Sequence, residues 1–268
     1  MRIFELHRGS LPLLISIPHA GTFVPESIAQ GFSLAGSHLA DTDWHVDKLY
    51  DFAREFGASI LKANYSRYVV DLNRAPDSTS LYESNPTSPV CPIDTFAGEP
   101  IYNAGEAPTS ADIATRVDRY WQPYHQQLAA ELAQMRQQHG FALLWDAHSI
   151  ASEVPGLFTG VLPEFNFGTR DDASCPRALA EQLLELVTTD GKFGAVLNGR
   201  FKGGYITMNY GRPEQGVYAV QLELSRRVYM DEAAGTGWDQ QHAASAAALI
   251  AQLLGTYVKE ANSARRLG

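Results

Sequence analysis

The stretch Leu13-Leu14-Ile15-Ser16-Ile17-Pro18-His19-Ala20-Gly21 decides the fold class of this chain. Its run of branched apolar residues is typical of a strand that is buried on both faces. A proline ends the run, and a histidine, a small residue and a glycine follow it. Because open α/β sheets carry their chemistry at the carboxyl ends of such strands, His19 is a candidate site residue. The alternative interpretation is a histidine that caps a turn by hydrogen bonding.

Strands and helices alternate along the rest of the chain, which predicts an α/β fold. No linker divides the sequence, so we expect one domain over residues 1–268. The predicted strands are residues 13–17, 58–63, 68–72, 141–145, 194–197 and 217–224, with a short extended piece at 157–162. The predicted helices are residues 43–56, 111–139 with a kink or break at Pro123, 176–187 and 238–261.

Two long polar segments separate these elements. Residues 75–110 are rich in Pro, Ser, Thr, Asn and Gly and show little periodicity. A connection of this length in a compact domain is typical of a functional loop, so we expect a substrate-binding loop or lid here. Residues 199–216 are glycine-rich and polar, which predicts a second loop near a site.

Composition and charge exclude several classes of function. The chain has 21 basic and 30 acidic residues and a formal net charge of -9, which argues against binding to nucleic acid or to an anionic membrane. The two cysteines, Cys91 and Cys175, form neither a disulfide framework nor a cysteine-based zinc site. No apolar run approaches the roughly 18 residues of a membrane span, and the first residues lack the apolar core of a signal peptide. We therefore expect a cytoplasmic protein that acts on a small molecule.

Polar residues follow three of the predicted strands and suggest a metal site. His19 follows the first strand, Asp146-Ala147-His148 follows another, and Glu223 closes the last. Two histidines and one carboxylate form the protein ligand set of a catalytic zinc ion, and a further glutamate can serve as general base. His148 and Glu223 are therefore candidates beside His19, and Asp146 is a candidate partner that orients a histidine.

The acidic ligand is open at this stage, because three aspartates compete for it. They surround the start of the helix that follows the first strand: Asp41, Asp43 and Asp47. Each member of the predicted site also has an ordinary structural interpretation. His148 would be a core histidine bonded to backbone, the aspartate would cap its helix, and Glu223 would pair with an arginine.

Arginines close to these residues suggest how an anionic substrate is bound. The segment Ser66 to Arg74 carries Arg67, Asn73 and Arg74, and Arg212 and Arg226 lie near the second loop and the last strand. Arginine binds a carboxylate through two parallel hydrogen bonds, so several arginines at one site suit a dicarboxylate. The alternative for any single arginine is a surface ion pair.

Six motifs resemble those of one enzyme family and occur in its order. They are Ser16-Ile17-Pro18-His19-Ala20-Gly21, Asp41-Thr42-Asp43-Trp44, Ser66-Arg67-Tyr68-Val69-Val70-Asp71-Leu72-Asn73-Arg74, Asp146-Ala147-His148-Ser149, Lys202-Gly203-Gly204-Tyr205 and Gln221-Leu222-Glu223-Leu224. The chain resembles the N-formylglutamate amidohydrolases, or N-formylglutamate deformylases, of histidine degradation. The resemblance extends from residue 13 to about residue 230.

This resemblance implies hydrolysis of N-formyl-L-glutamate to L-glutamate and formate by a zinc-dependent enzyme, although another divalent metal suits the same ligands. It implies a three-layer α/β/α sandwich with a central mixed sheet, like that of zinc carboxypeptidases and metal-dependent amidases (a phosphorylase/hydrolase-like fold). His19 and His148 match the two metal-binding histidines, and Glu223 matches the base. The carboxypeptidase position for the acidic ligand is Thr22 here, whereas the amidase-like position fits Asp43.

The substrate-binding residues that we expect from this comparison are Arg74, Asn73, Arg67 and Arg212. Two other functions stay open. One is a zinc-dependent hydrolase of another N-acyl amino acid or peptide amide. The other is a binding protein without catalysis, in which both histidines are structural.

Overall fold

Branched apolar residues form the centre of a mixed β-sheet. The structure, a computed structural model, describes residues 1–80 and 88–267, and within them seven strands form one sheet in the order β1-β3-β2-β4-β7-β5-β6. The strands are β1 (Phe4–His7), β2 (Leu13–Ile17), β3 (Ser59–Ala63), β4 (Ala142–Ile150), β5 (Phe165–Gly168), β6 (Ala195–Leu197) and β7 (Val217–Ser225). A separate antiparallel pair consists of β8 (Met230–Asp231) and β9 (Gly237–Trp238). The predicted α/β fold with a mixed sheet is confirmed.

Parallel pairing in the middle of the sheet sets the positions of the candidate site residues. β3, β2, β4 and β7 are parallel to one another, whereas β1 and β5 run antiparallel to β3 and β7. Ser16 lies opposite Asp146, and His148 lies opposite Glu223. Because side chains alternate along a strand, these four residues share one face of the sheet. Polar residues that are far apart in sequence therefore meet on this face.

Helices cover both faces of the sheet and give three layers. They are α1 (Glu26–Ala29), α2 (Leu34–Ser37), α3 (Val46–Leu49), α4 (Ala53–Phe56), α5 (Ser110–Arg116), α6 (Gln122–His139), α7 (Arg177–Asp190), α8 (Tyr205–Tyr210) and α9 (Gln240–Leu267). On one face, Ile15 and Trp145 pack with apolar residues of α7 and α9. On the other face, Leu14 and Leu144 pack with α6. Burial on both faces explains why the central strands are apolar without interruption.

The predicted break near Pro123 is confirmed. A π-helix, Val117–Trp121, separates α5 from α6, and Pro123 lies just after it. Proline has no backbone N–H and its ring crowds the carbonyl four residues earlier, so a regular α-helix cannot continue through it. The wider turn directs Trp121 toward residue 74, where its indole Nε1 donates to the Arg74 carbonyl (3.0 Å).

One predicted strand and one predicted extended piece are wrong. Residues 68–72 form turns, in which Val69 N donates to the Ser66 carbonyl (2.9 Å) and Asp71 N donates to the Val90 carbonyl (2.7 Å). Residues 157–162 likewise lie in turns and bends, and β5 follows them at Phe165–Gly168. A short apolar run indicates burial without specifying the backbone, and loop contacts satisfy these peptide groups instead of strand pairing.

Several predicted boundaries also differ from the structure. The helix predicted over residues 43–56 is divided into α3 and α4, because hydrogen bonds of turn type, such as Ala53 N to the Tyr50 carbonyl (2.9 Å), connect the two. The loop predicted over residues 199–216 contains α8. β4 continues through His148 to Ile150. In the part of the chain that the structure describes, no helix has the length and apolar character needed to cross a bilayer.

Candidate active site

Three buried residues from separate segments meet beside the sheet. His19 follows β2, Asp43 lies in the turn before α3, and His148 lies within β4. The Asp43 Oδ2 atom is 3.0 Å from His148 Nδ1 and 3.7 Å from His19 Nδ1. One ligand atom from each residue lies within 4.8 Å of the others. We call these three residues the candidate metal site.

The donor set fits a divalent metal ion. Ligands at about 2.1 Å from a tetrahedral zinc ion are about 3.4 Å apart, which is close to the two separations seen here. His19 Nδ1 is buried and accepts or donates no hydrogen bond within the described parts of the chain. A buried ring nitrogen without a partner is costly, and a metal ion would satisfy it. Burial opposes ionisation of Asp43, but His148, His19 and Arg67 lower the pKa of its carboxyl, so it can serve as an anionic ligand.

The second ring nitrogen of His19 faces a carboxylate. His19 Nε2 lies 2.8 Å from Asp71 Oδ1, and Arg67 Nη2 donates to Asp71 Oδ2 (2.6 Å). Burial lowers the pKa of His19, and Arg67 lowers it further. Burial opposes ionisation of Asp71, but Arg67 and His19 hold the pKa of that carboxyl well below its usual range. Asp71 therefore orients the His19 ring while its own charge is balanced by Arg67.

His148 faces a second carboxylate in the same way. His148 Nε2 lies 3.0 Å from Asp146 Oδ2, and Asn73 Nδ2 donates to the same oxygen (3.2 Å). Ser16 Oγ donates to Asp146 Oδ1 (3.0 Å) and lies 3.0 Å from the Tyr124 hydroxyl. Burial works against a charged ring, but Asp146 and Asp43 raise the pKa of His148 well above its usual value. Each histidine thus presents Nδ1 to the candidate metal site and Nε2 to an aspartate, an arrangement typical of metal-binding histidines.

Asp41 and Asp47, the alternatives to Asp43, have other partners. Asp41 Oδ2 accepts from the Tyr68 hydroxyl (2.8 Å) and from the Phe96 amide (2.9 Å). Asp47 pairs with Lys62 (3.2 Å) at the surface. Asp43 does not cap α3 either, because His45 occupies the N-cap position.

Glu223 lies next to His148 across the β4–β7 pair. Its Oε2 accepts from Gln221 Nε2 (3.3 Å), and Gln221 Oε1 accepts from the Gly204 amide (2.7 Å). Burial raises the pKa of Glu223 to about 8, and the nearby His148 works against this increase. No ion pair joins Glu223 to an arginine among the residues described. A carboxyl with one weak donor and a raised pKa beside a candidate metal site is suited to proton transfer.

A cavity of about 660 Å³ opens onto these groups. His19, His148 and Glu223 form part of its wall. Its apolar wall includes Ile93, Phe96, Ile150, Leu157 and Phe201. Its cationic side chains are Arg67, Arg74, Arg200 and Lys202. An apolar pocket with a few convergent polar groups is typical of a small-molecule site, and the cations favour an anion within it.

Known proteins match this chain over nearly its whole length. The sequence model of the N-formylglutamate amidohydrolase family matches residues 11–230. The N-formylglutamate deformylase of Pseudomonas aeruginosa is 48% identical over 252 residues, and that of Pseudomonas putida is 45% identical over 253 residues; each match covers 94% of both chains. The chain belongs to the N-formylglutamate amidohydrolase family. The resemblance inferred from the six motifs is therefore confirmed, and the chain is an enzyme that hydrolyses amide bonds.

Solved structures show the same fold at low sequence identity. The crystal structure of an N-formylglutamate amidohydrolase from Ralstonia eutropha is 24% identical, covers 100% of both chains and gives a TM-score of 0.80. A protein of Agrobacterium tumefaciens is 19% identical, covers 97% of this chain and 96% of its own, and gives a TM-score of 0.72.

Of the four predicted substrate-binding residues in this amidohydrolase, three line the cavity and one does not. Arg74 lies in the wall and donates to Ser88 Oγ (3.1 Å) and to the Asn73 carbonyl (3.0 Å). Arg67 and Asn73 also reach the wall, but Asp71 and Asp146 engage their polar atoms. Both therefore position other residues.

Arg212 was predicted to bind substrate, but it does not line the cavity. Its Nη1 atom donates to the carbonyls of Met208 (2.6 Å) and Gly211 (2.9 Å), and the residue is absent from the cavity wall. The guanidinium group folds back onto its own segment because α8 ends there with unpaired carbonyls. Arg226 similarly donates to the Thr42 carbonyl (2.6 Å) and holds the turn before Asp43.

The loop predicted over residues 75–110 contributes to the cavity. Ser88, Pro89 and residues 93–98 line it, whereas residues 81–87 lie outside the residues that the structure describes. Its contribution to the cavity wall fits the expectation from its length, whereas substrate binding by this loop and its movement as a lid stay predictions.

The sequence interpretation gave no role to Asp71, the partner of His19. A signal was present, because Arg67 and Asp71 are four residues apart and close enough to pair in a tight turn. Gly204 was likewise without a specific role. A Cβ atom at that position would lie 2.4 Å from Asn73 Nδ2, so the loop requires glycine to pack against Asn73.

Proposed function

We propose that this enzyme hydrolyses N-formyl-L-glutamate to L-glutamate and formate, with zinc or another divalent cation at His19, Asp43 and His148. The observation that supports this most strongly is the candidate metal site, which lies beside Glu223 in a cavity with cationic walls. The two similar deformylases of Pseudomonas support the choice of substrate.

The chain's own residues would hold the cation and fix its environment. His19 and His148 would each bind through Nδ1, because Asp71 and Asp146 occupy the opposite ring nitrogens. Asp43 would provide the anionic ligand. When bound, the cation supplies Lewis-acid chemistry, since it polarises the formyl oxygen and makes a water molecule more acidic.

Glu223 would carry the proton from water to the leaving nitrogen. Its carboxylate takes a proton from the attacking water as the oxygen bonds to the formyl carbon. The same carboxyl then gives that proton to the amide nitrogen as the C–N bond breaks. Burial keeps the proton affinity of Glu223 high enough for both steps, and Gln221 fixes one of its oxygens.

Arg74 is the residue that would bind a substrate carboxylate near the metal. Its guanidinium lines the cavity, and its protein partners, Ser88 Oγ and the Asn73 carbonyl, are both neutral. Burial lowers the pKa of Arg74, yet an arginine keeps its proton at neutral pH. Arg67 would contribute positive charge at the wall, and Asn73 would orient His148 through Asp146. A cytoplasmic location and a role in histidine degradation stay predictions from the sequence.

Formate release tests this proposal. The purified protein should release formate from N-formyl-L-glutamate, lose activity after dialysis against a chelator, and regain it with added zinc. N-acetyl-L-glutamate and N-formyl-L-methionine serve as comparison substrates and should react more slowly. Activity that survives complete removal of the metal would contradict the metal assignment, and a preference for either comparison substrate would contradict the choice of substrate.

A further inference from the structure

Two of the four cations in the cavity wall are already neutralised within the chain. Arg67 pairs with Asp71 (2.6 Å) and lies 3.8 Å from Asp43 Oδ1. Lys202 pairs with Asp171 (2.9 Å). Both positive charges are therefore balanced before any substrate binds.

The other two cations have no acidic partner within residues 1–80 and 88–267. The hydrogen-bond partners of Arg74 are neutral, and Arg200 lies 5.9 Å above the Phe201 ring without an ion pair. Within the described residues the cavity wall thus presents two guanidinium groups without an acidic partner, which is complementary to a ligand with two negative charges. N-formyl-L-glutamate carries two carboxylates, one for each of these guanidinium groups; the acidic side chains of the wall, Asp94 and Glu223, form no ion pair with either arginine among the described residues.

The loop that carries Arg200 is fixed on both sides. Before it, Asn198 Oδ1 accepts from the Thr169 amide (2.8 Å), and Asn198 Nδ2 donates to Thr169 Oγ1 (2.8 Å). After it, Arg170 N donates to the Lys202 carbonyl (2.6 Å) and Gly204 N donates to Gln221 (2.7 Å). A loop ordered before binding loses little entropy when the substrate arrives, so its arginine can contribute to affinity.

The backbone beneath this loop is held in an unusual conformation. Arg170, Asp171 and Asp172 have consecutive positive φ angles of 57°, 53° and 74°. Residues other than glycine rarely adopt this region, because it brings their Cβ close to the backbone. Strain of this kind concentrates where structure serves function. Here the strained turn supports the Lys202 carbonyl and the Lys202 ammonium group.

We infer that Arg200 is a specificity-determining residue that binds the γ-carboxylate of the substrate, while Arg74 binds the α-carboxylate. This inference rests on the proposed function. Arg74 follows Asn73, whose Nδ2 atom lies 3.0 Å from His148 Nε2. The positive charge of Arg74 interacts with Asp71 and Glu223. Arg200 lies four positions before Gly204, the residue through which its loop contacts Gln221. The α-carboxylate adjoins the carbon that bears the reacting nitrogen, so we match it to Arg74, whose neighbour Asn73 contacts His148. The γ-carboxylate ends the side chain, so we match it to Arg200 on the loop.

Amide analogues of the substrate test the assignment. The zinc-loaded wild-type protein and the variants Arg200→Met and Arg74→Met are assayed with N-formyl-L-glutamate, N-formyl-L-glutamine and N-formyl-L-isoglutamine, whose γ- and α-carboxylates respectively are amides. Arg200→Met should raise KM about tenfold for the first and third substrates, leave KM for N-formyl-L-glutamine unchanged, and leave kcat similar throughout. Arg74→Met should raise KM for the first two substrates and leave the third unchanged.

A surface variant controls for the change in net charge. Arg136→Met removes an exposed arginine of α6 outside the cavity wall and should leave all three KM values unchanged. An equal effect of Arg200→Met on all three substrates, or no effect on any, would overturn the inference while the proposed function stands. An effect confined to the α-carboxylate would also overturn it. If the wild-type protein releases no formate from N-formyl-L-glutamate, the proposed function fails, and the inference fails with it.

Discussion

The His19–Asp71 pair and the His148–Asp146 pair have the same geometry but different electrostatics. Each histidine presents Nδ1 to Asp43 and Nε2 to a second aspartate. The distance from Nε2 to the carboxylate oxygen is 2.8 Å in the His19–Asp71 pair and 3.0 Å in the His148–Asp146 pair. Asp71 is balanced by the buried cation Arg67. Among the described residues no arginine or lysine pairs with Asp146, which accepts from the neutral donors of Ser16 and Asn73.

This difference shows that an aspartate can orient a buried histidine in two ways. An ion pair fixes the aspartate through charge, and the pKa of His19 is lowered by burial and by Arg67. Neutral hydrogen bonds fix the aspartate through geometry and leave its charge free to act on the ring, so the pKa of His148 is raised. Replacing Asp71 and replacing Asp146 should therefore change the stability of the protein by different amounts. Glu223 belongs to neither pair, and its replacement should mainly change turnover.

The largest expected effect is the loss of turnover in Glu223→Gln. Both histidine pairs stay intact in this variant, so it should bind zinc like the wild-type protein. Loss of the proton carrier should lower kcat by about 10²–10⁴-fold. Measurement of kcat together with zinc content by metal analysis separates proton transfer from metal binding. A variant that keeps its kcat would exclude Glu223 as the base, and one that loses zinc would place it within the metal site.

The next largest effect is a difference in the free energy of unfolding between Asp71→Asn and Asp146→Asn. Asp71→Asn leaves Arg67 buried without its closest anion, which should lower the free energy of unfolding by about 3–5 kcal/mol. Asp146→Asn keeps its partner Ser16, whose hydroxyl can rotate to suit an amide, so it should cost about 1–3 kcal/mol. Urea unfolding of both variants in the presence of a chelator measures the difference.

A double variant provides the control for this comparison. Arg67→Met added to Asp71→Asn removes the unpaired cation and should restore part of the lost stability. Equal losses in the two single variants, or no recovery in the double variant, would show that the charge balance of Asp71 does not distinguish the pairs.

Metal affinity should also depend on the His148–Asp146 pair, to a smaller extent. Asp146→Asn weakens the orientation of His148 without removing a ligand, so zinc affinity should fall by about 10–100-fold. Asp47→Asn is the matched control, because Asp47 pairs with Lys62 at the surface and should not affect zinc binding. Competition with a coloured chelator measures both affinities. An unchanged affinity in Asp146→Asn would mean that neutral hydrogen bonds alone hold His148 in place.

The parts of this site that the sequence predicts are those carried by parallel strands. His19 follows β2, whereas His148 and Glu223 lie on β4 and β7, and the carboxyl ends of parallel strands meet at one edge of a sheet. Their association therefore follows from the strand pattern, even though β4 and β7 extend beyond His148 and Glu223.

The parts that the sequence does not predict lie on irregular backbone. Residues 68–72 are buried and, apart from Asp71, apolar. Loop contacts rather than strand pairing satisfy their peptide groups, so Asp71 reaches His19 from a turn. Asp43 lies in a similar turn, and tertiary contacts alone distinguish it from Asp41 and Asp47. Arg212 shows the converse case, since its position beside a glycine-rich loop suggested the site but its guanidinium folds onto local carbonyls.

The smallest expected effect is the pH dependence of stability that Glu223 causes. Among the described residues its carboxyl has neither a paired arginine, as Asp71 has, nor two hydrogen-bond donors, as Asp146 has. In the metal-free protein, burial raises its pKa from 4.5 to about 8. Between these values the folded protein holds a proton that the unfolded chain has released, so the stability present below pH 4.5 decreases as the pH rises toward 8. Glu223→Gln lacks this loss, so its free energy of unfolding relative to the wild-type protein should increase by about 1 kcal/mol from pH 6 to pH 7. Urea unfolding in chelator at the two pH values measures this change, and zinc should reduce it, because a nearby cation favours the ionised carboxylate in the folded state. A difference that is the same at both pH values would show that Glu223 is already ionised in the metal-free protein, as Asp71 is beside Arg67.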